Sequence, residues 1–118
     1  MAIQKFEDIV AWQKAQALAV DVYTAFGKNK DLGFKDQIFR SVVSVSNNIA
    51  EGFDRDSDAE FSRFLHYSIA SCSEVRSMVY LAERLKYISS EQKTDLLQKT
   101  FEVSKIIRGL IKSMSNTK

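Results

Sequence analysis

Apolar residues recur every three or four positions through the first half of the chain, which is the spacing of amphipathic α-helices. In residues 6–26 these apolar positions form one stripe: Ile9, Trp12, Ala15, Ala19, Val22 and Phe26. Gly27 follows and is expected to end this first helix. The next run has a stripe of its own: Phe34, Ile38, Val42, Val45 and Ile49. We expect this second helix to end at Gly52.

The third run is the longest, from about Asp58 to Tyr87, and it is apolar on two sides. Its main stripe is Phe61, Phe64, Leu65, Ser68, Cys72, Val75, Val79 and Ala82. A second stripe lies about 100° or more around the same helix: Tyr67, Ala70, Met78, Leu81 and Leu85. A helix that is apolar on two sides faces two neighbours. Because the chain is small, we expect one of these neighbours to belong to another subunit.

The last helix is expected to start near Ser89 or Ser90, with Gln92 available to cap it, and to run to about Met114. Its stripe is Leu96, Val103, Ile107, Leu110 and Met114. The chain has no proline and only four glycines, so nothing inside these runs forbids long helices. Four helices with short links predict a single all-α domain over residues 1–118, an antiparallel up-down-up-down bundle.

The polar segment between the second and third helices is the stretch that most resembles a functional site. Ser57 and Glu60 have the S-x-x-E spacing of a capping box, in which a hydroxyl and a carboxylate satisfy free amides at a helix start. Asp56 and Asp58 suit the positive end of the helix dipole. The segment is therefore predicted to be a helix stop followed by a helix start.

Two ligand-binding interpretations of the same segment fail on detail. Asp54, Asp56 and Asp58 have the alternation of a calcium loop, but Ala59 stands where glycine is needed and Leu65 where glutamate is needed. Gly52 stands alone, without the G-K-[ST] that completes a phosphate loop.

Composition indicates an ordinary globular protein. The 118 residues suit one domain, and 17 basic against 15 acidic residues give a net charge of +2, which does not by itself suggest a nucleic-acid or membrane partner. One cysteine fits a reducing compartment, and no apolar run reaches the roughly 20 residues of a membrane span. The start of the chain lacks the apolar core of a signal peptide, so we expect a soluble, cytoplasmic protein.

The residues offer little chemistry for catalysis or metal binding. His66 and Cys72 are the only residues of their types and, six positions apart on one helix, lie on different faces. We therefore expect neither a Cys/His dyad nor a zinc site, and no cofactor. Cys72 is predicted to be a core residue, and His66 to be solvated or in an interface.

A polar stripe on the second helix is more informative. Arg40, Ser44, Asn47 or Asn48, and Glu51 recur at steps of about four residues between two apolar flanks. A buried Arg40 would need a carboxylate, which Glu51 or Glu74 of the third helix could supply.

The interpretation favoured over an acid–base pair is a structural network that fixes helix register and subunit pairing. Its residues are Arg40, Ser44, Asn48, Glu51, Gly52, Arg55 and Glu74. The change Glu51→Ala is expected to leave a buried polar partner unsatisfied, at about 1–3 kcal/mol.

Positive charge is concentrated near the end of the chain. From Ser90 onward the chain has six basic residues, Lys118 included, and three acidic residues. Their net charge is +3, whereas the net charge of all residues before Ser90 is −1. Lys105, Arg108 and Lys112 share one side of the last helix, one turn after Phe101. On a monomer this is an ordinary solvated face, but repeated around a ring it becomes a belt able to bind nucleic acid through phosphates.

Three stretches carry a family resemblance: FEDIVAWQKA, DQIFRSVVSVSNNIAEGFDR and EFSRFLHYSIASCSEVRS. Over nearly its whole length the chain resembles the four-helix-bundle family of 23S rRNA intervening-sequence proteins. The matching positions are Gln37, Arg40, Ser44, Asn48, Ile49, Ala50, Glu51, Gly52, Arg55, Phe61, Phe64, Leu65, Ser71, Ser73 and Glu74. The chain departs from the family at Ser46, where proline is usual, and in the link FGKNKDLG, where FP and an acidic residue are typical.

The resemblance implies a bacterial four-helix bundle, encoded within insertions in 23S rRNA genes or by stand-alone genes, with no established catalytic activity. A related branch is the accessory variability protein of diversity-generating retroelements, which forms a positively charged pentameric barrel and engages a reverse transcriptase and nucleic acid. The leading hypothesis is therefore a non-enzymatic, ring-forming protein, pentameric by resemblance, that associates with RNA or DNA or acts as a scaffold. The alternative is an adaptor that binds only a partner protein, such as a reverse transcriptase.

Overall fold

The computed structural model describes residues 3–115, which form four α-helices after one turn of 3₁₀ helix at Phe6–Asp8. The helices are α1 (Val10–Phe26), α2 (Leu32–Phe53), α3 (Asp58–Arg84) and α4 (Ser90–Ser115). Each helix packs on the next along the chain, and α4 packs back on α1, in a bundle of 48 × 21 × 19 Å. The predicted up-down-up-down topology is confirmed. Lys118, counted above in the charge of the chain end, lies outside the described residues.

The core follows the predicted stripes on α2, α3 and α4 almost without change. All five predicted apolar positions of α2 and all eight main-stripe positions of α3 are buried, while Leu110 of α4 is half-buried. On α1 the buried side differs from the prediction: Ala11 and Leu18 are buried, whereas Trp12 and Ala19 are only half-buried. The reason is that α1 packs between α2 and α4, and this packing turns Leu18 toward the core.

The predicted capping residues stand at the helix starts. At α4 the Ser89–Gln92 pair is complete: the Gln92 amide donates to Ser89 Oγ at 3.1 Å, and the Ser89 amide donates to Gln92 Oε1 at 2.9 Å. At α3 the Glu60 amide donates to Ser57 Oγ at 3.2 Å, but the Glu60 carboxylate accepts from Arg63 at 2.8 Å instead of returning to Ser57. Only the hydroxyl half of that capping box forms.

The third helix ends earlier than its apolar pattern predicts, at Arg84 rather than Tyr87. Lys86 has φ 64°, in the left-handed region, and the Tyr87 amide donates to the Ala82 carbonyl at 2.8 Å. This is the closure of a Schellman motif. The turn frees Tyr87 to cross to the start of α2, where its hydroxyl donates to Asp31 Oδ2 at 2.6 Å.

The helices α2 and α3 approach closely at Gly52, which is buried one residue before the end of α2. A β-carbon built on Gly52 would lie 2.5 Å from Cβ of Phe64. Farther along the same contact, Ser68 Oγ donates to the carbonyl oxygen of Val45 at 2.8 Å. Gly52 is therefore required for helix packing as well as standing near a helix end.

Candidate nucleic-acid interface

The side of α4 that faces away from the core carries the predicted basic residues. Lys105, Arg108 and Lys112 are all exposed, at steps of three and four residues that keep them on one side of the helix. We call these three residues the α4 basic face. Phe101 lies one turn before Lys105, and its side chain is 62% exposed. The shared side predicted from the sequence is present in the structure.

The charge of the α4 basic face is not neutralised within the described residues. None of its three side chains has a carboxylate within 4.0 Å, whereas earlier cations of α4 do: Lys99 lies 2.9 Å from both Asp21 and Asp95, and Lys93 lies 3.2 Å from Glu83. From residue 103 to residue 115 the helix has three basic and no acidic residues.

Glu102 is the acidic residue nearest in sequence to the α4 basic face, and it points to another neighbour. Its carboxylate lies 3.5 Å from Lys14 Nζ of α1. The second half of α4 therefore presents positive charge to solvent.

Arg76 of α3 adds a cation that sequence reasoning missed. Burial raises the pKa of the Cys72 thiol to about 12, and the charges of Arg108 and Arg76 act against this rise. The pKa of this thiol therefore responds to one positive charge from each of the two helices. Arg76 is four residues after Cys72 on α3. Its relation to the cations of α4 depends on the antiparallel packing of the two helices, which spacing within one helix does not show.

The raised pKa also describes the chemistry of Cys72. A buried thiol that stays protonated at neutral pH is a poor nucleophile. Its place in the core, 1% exposed, agrees with the prediction.

His66 is exposed, and its Nδ1 donates to the carbonyl of Ser62 at 2.9 Å. Between residues 3 and 115 no three His, Cys, Asp or Glu side chains are grouped to hold a metal ion.

The polar stripe of α2 does not form the predicted ion pair. Arg40 is exposed, and its Nη2 lies 3.0 Å from Oδ2 of Asp36, one turn earlier on the same helix. The prediction of a buried Arg40 held by Glu51 or Glu74 is therefore wrong. The reason is orientation: α2 turns Arg40 toward solvent, so the carboxylate it reaches is on its own helix.

The carboxylates of Glu51 and Glu74 lie apart from each other. Glu74 Oε2 accepts from Gln37 Nε2 at 3.0 Å, which links α3 to α2. Glu51 is exposed, with no hydrogen bond or ion pair to the described residues. Since Glu51 satisfies no buried partner in a single chain, the loss of about 1–3 kcal/mol expected for Glu51→Ala does not follow from this structure.

The other members of the predicted network make local contacts. Ser44 Oγ donates to the Arg40 carbonyl at 3.0 Å, and Asn48 Nδ2 donates to the Ser44 carbonyl at 2.9 Å. Arg55 lies over the Phe64 ring, 4.7 Å from its centroid. A cleft of about 220 Å³ brings part of the stripe together, lined by Gln37, Arg40, Ser41, Ser44 and Glu74.

Within residues 3–115, two apolar surfaces are left uncovered in the single chain. The second stripe of α3, which we call the α3 apolar face, is Tyr67, Ala70, Met78, Leu81 and Leu85. Tyr67, Leu81 and Leu85 are 44–46% exposed. The other surface, missed from the sequence, is the α1–α2 groove of about 500 Å³, lined by Gln16, Ala19, Val20, Tyr23, Thr24, Val43 and Ser46. At its edge the Tyr23 and Phe39 rings stack at 3.8 Å.

These features define a class: an antiparallel four-helix-bundle protein with uncovered apolar surfaces and one unpaired basic side. The particular family follows from comparison with known proteins. The profile of the 23S rRNA-intervening sequence proteins matches residues 7–109, and the chain belongs to that family.

A solved structure supports the same assignment. It is the crystal structure of a protein of unknown function from the S23 ribosomal protein family of Bacteroides thetaiotaomicron. The two chains share 27% sequence identity with a TM-score of 0.81, over 87% of this chain and 99% of the other. No curated protein matches the sequence. Among the helices described between residues 3 and 115, none combines the length and hydrophobicity that crossing a bilayer requires.

Proposed function

We propose that this chain is a non-enzymatic, ring-forming protein that associates with RNA or DNA through α4. The observation that carries the proposal is the α4 basic face, three exposed cations that have no carboxylate partner between residues 3 and 115. Cations of this kind bind phosphates and release the counterions condensed on the nucleic acid. Such binding depends on charge more than on base sequence, so weak sequence selectivity is expected.

Self-association is the second part of the proposal, and the α3 apolar face supports it. Three large side chains of this face are exposed by nearly half, in a chain whose core is already closed on the other side of α3. Covering them with a second copy would remove apolar surface from water. A closed ring, pentameric by family resemblance, would repeat the α4 basic face and multiply its contacts with one nucleic-acid strand.

We also assign structural roles to the polar residues of the α2–α3 contact. Gly52 permits the close approach of the two helices, and the Gln37–Glu74 hydrogen bond crosses between them. Glu51 and Arg40, both exposed, are available to contact a neighbouring subunit. This is the role of subunit pairing expected from the sequence, with contacts between chains in place of a buried ion pair.

An adaptor that binds only a partner protein is the second candidate, and the α1–α2 groove favours it. The groove is apolar, with Val20 64% and Tyr23 45% exposed, and it lies away from the α4 basic face. A helix or loop of a partner such as a reverse transcriptase could bury these side chains. In this case nucleic acid would contact the partner and leave α4 free.

The test is a triple variant, Lys105→Glu, Arg108→Glu and Lys112→Glu, titrated with a structured RNA at low and moderate salt. The wild type is expected to bind with log K falling against log salt, at a slope of about −2 to −3 for each chain that contributes its three phosphate contacts. The variant is expected to lose this binding. Light scattering first establishes that its oligomeric mass is unchanged.

A matched control reverses the same number of charges elsewhere. Lys28, Lys30 and Lys86 are exposed lysines in the links α1–α2 and α3–α4, and they form no ion pair with the described part of the chain. Lys28→Glu, Lys30→Glu and Lys86→Glu together are expected to weaken binding far less than the α4 variant. Equal binding by wild type and α4 variant would show that the interface is misplaced. Absence of wild-type binding at low salt would replace this proposal with the adaptor.

A further inference from the structure

Phe101 is an exception among the phenylalanines of the chain. Seven of the eight pack against another aromatic ring: Phe6, Phe26, Phe34, Phe39, Phe53, Phe61 and Phe64. Phe101 has no ring partner within residues 3–115, and its side chain is 62% exposed. An exposed ring of this size leaves its face open for a flat partner.

The surroundings of Phe101 disfavour an apolar subunit contact. Lys105 follows it by four residues and Arg108 by seven, so these cations lie about 6 and 10 Å farther along α4 at 1.5 Å per residue. Covering Phe101 with apolar surface would also remove these charges from water, which is costly without paired anions. A ligand that brings both a flat ring and anions would satisfy all three side chains.

The alignment of α3 with α4 places one further cation, Arg76, at the height of Phe101. Lys93 of α4 sits 5.9 Å from the ring centroid of Tyr80 and 3.2 Å from Glu83, which fixes the alignment of the two antiparallel helices. Phe101 lies eight residues after Lys93, about 12 Å farther along α4. Arg76 lies seven residues before Glu83, about 10 Å along α3 in the same direction of the bundle. Arg76 and Phe101 are therefore at the same level of the bundle.

We infer that the nucleic acid bound by the α4 basic face is single-stranded, with a base stacked on Phe101 and its phosphates held by Arg76 and the α4 cations. This inference rests on the proposed function and specifies its substrate. Bases of a single strand are free to stack on aromatic side chains. In a duplex the base faces are already stacked on each other, and an outward-facing ring meets only edges and backbone.

The experiment compares one unstructured 15-nucleotide RNA with the same RNA annealed to its complement, by fluorescence anisotropy on the intact oligomer at low salt. The wild type is expected to bind the single strand more tightly. Phe101→Leu, which keeps an apolar side chain but removes the ring, is expected to weaken single-strand binding at least about fivefold, the lower end of one stacked base. Duplex binding is expected to stay within about twofold. Phe101→Trp is expected to restore or strengthen single-strand binding.

A second pair of variants tests the contribution of α3. Arg76→Ala is expected to weaken single-strand binding and to reduce the salt slope by about 0.7 for each chain that contacts the RNA, the value for one lost phosphate contact. Arg84→Ala removes an exposed arginine at the end of the same helix and is expected to change neither quantity.

The outcomes separate this inference from the function on which it rests. Equal binding of both RNAs, unaffected by Phe101→Leu but abolished by the triple α4 variant, would overturn the inference and leave the proposed function in place. A changed oligomeric mass for Phe101→Leu would make Phe101 a subunit contact and also overturn it. Failure of the wild type to bind either RNA would remove the proposed function itself.

Discussion

Two single residues carry backbone constraints that their side-chain chemistry does not reveal. Lys86 adopts φ 64° after the end of α3, a conformation that costs a side-chain-bearing residue about 1–2 kcal/mol. Gly52 lies where α2 and α3 approach so closely that a β-carbon would overlap Phe64. At position 86 the chain has lysine in a backbone conformation that would suit glycine better. At position 52 it has the glycine that helix packing requires.

For Lys86→Gly we expect an increase in the free energy of unfolding of about 0.5–1 kcal/mol, because glycine adopts the left-handed conformation without strain. The gain is reduced by the greater entropy of glycine in the unfolded chain. Urea unfolding at a fixed protein concentration measures the change. Lys86→Ala is the control, since it removes the same long side chain but keeps the β-carbon, and it should show no comparable gain.

Replacing Gly52 by alanine is expected to lower the free energy of unfolding by about 1–3 kcal/mol. The added methyl would lie 2.5 Å from Cβ of Phe64, an atom close to the backbone that moves only if the helices separate. Gly109→Ala is the matched control on α4, because its new β-carbon would meet nothing within 4 Å. That variant is expected to gain about 0.5–1 kcal/mol from helix propensity. Two changes of the same sign would contradict the packing role of Gly52.

At the scale of elements, the starts of α2 and α4 are joined through one hydrogen bond between their preceding links. Asp31 caps α2 by accepting from the Phe34 amide at 3.1 Å, and its other carboxylate oxygen accepts from the Tyr87 hydroxyl at 2.6 Å. The Tyr87 hydroxyl and the Phe34 amide lower the pKa of Asp31 below its usual 3.8, while Asp31 raises the pKa of Tyr87 above 10. One carboxylate thus serves a helix cap and a contact between two links.

The stability of the fold should depend on pH through this pair. Because the pKa of Asp31 is lowered by folding, its contribution is complete above the usual 3.8 and is lost as pH falls through the folded value. For Tyr87 the pKa is raised, so its contribution is present below 10 and is lost as pH rises through the folded value. NMR titration of Asp31 in wild type and Tyr87→Phe measures the effect. The variant should move the Asp31 pKa back toward 3.8, and an unchanged value would rule out Tyr87 as its main cause.

Much of this element-level structure could be predicted from the sequence, and so could part of the candidate site. Helix stripes, the Ser89–Gln92 cap and the shared side of Lys105, Arg108 and Lys112 follow from spacing within one helix. Arg76 could not be added to that side from the sequence, because its distance from Arg108 depends on how α3 packs on α4. The same limit explains Arg40, whose partner depends on which way α2 faces.

At the scale of the whole molecule, the bundle buries one side of α3 and leaves the α3 apolar face open. The α1–α2 groove is a second open apolar surface, and it is lined by residues of α1 and α2 instead of α3. Two distinct patches suit the head-to-tail contacts that close a ring, in which one surface of each copy meets a different surface of the next.

The double variant Leu81→Lys and Leu85→Lys is therefore expected to reduce the oligomeric mass measured by light scattering, since two charges would be buried in the contact. Val10→Lys with Leu32→Lys is the control, because these side chains are also exposed, by 54% and 69%, but lie at the starts of α1 and α2. A wild type that remains monomeric at all concentrations would contradict the ring. An unchanged mass for the Leu81/Leu85 variant would place the contact elsewhere.

The sequence by itself determined what depends on neighbours along the chain: four helices, the Ser89–Gln92 cap, the apolar stripes of α2, α3 and α4, and the basic side of α4. The tertiary structure decided what depends on the distance between helices. It turned α1 so that Leu18 faces the core, directed Arg40 to Asp36, required glycine at position 52 and set Arg76 level with Phe101. The physical reason is that helix geometry fixes angles within one helix, whereas packing between helices sets their rotation and approach.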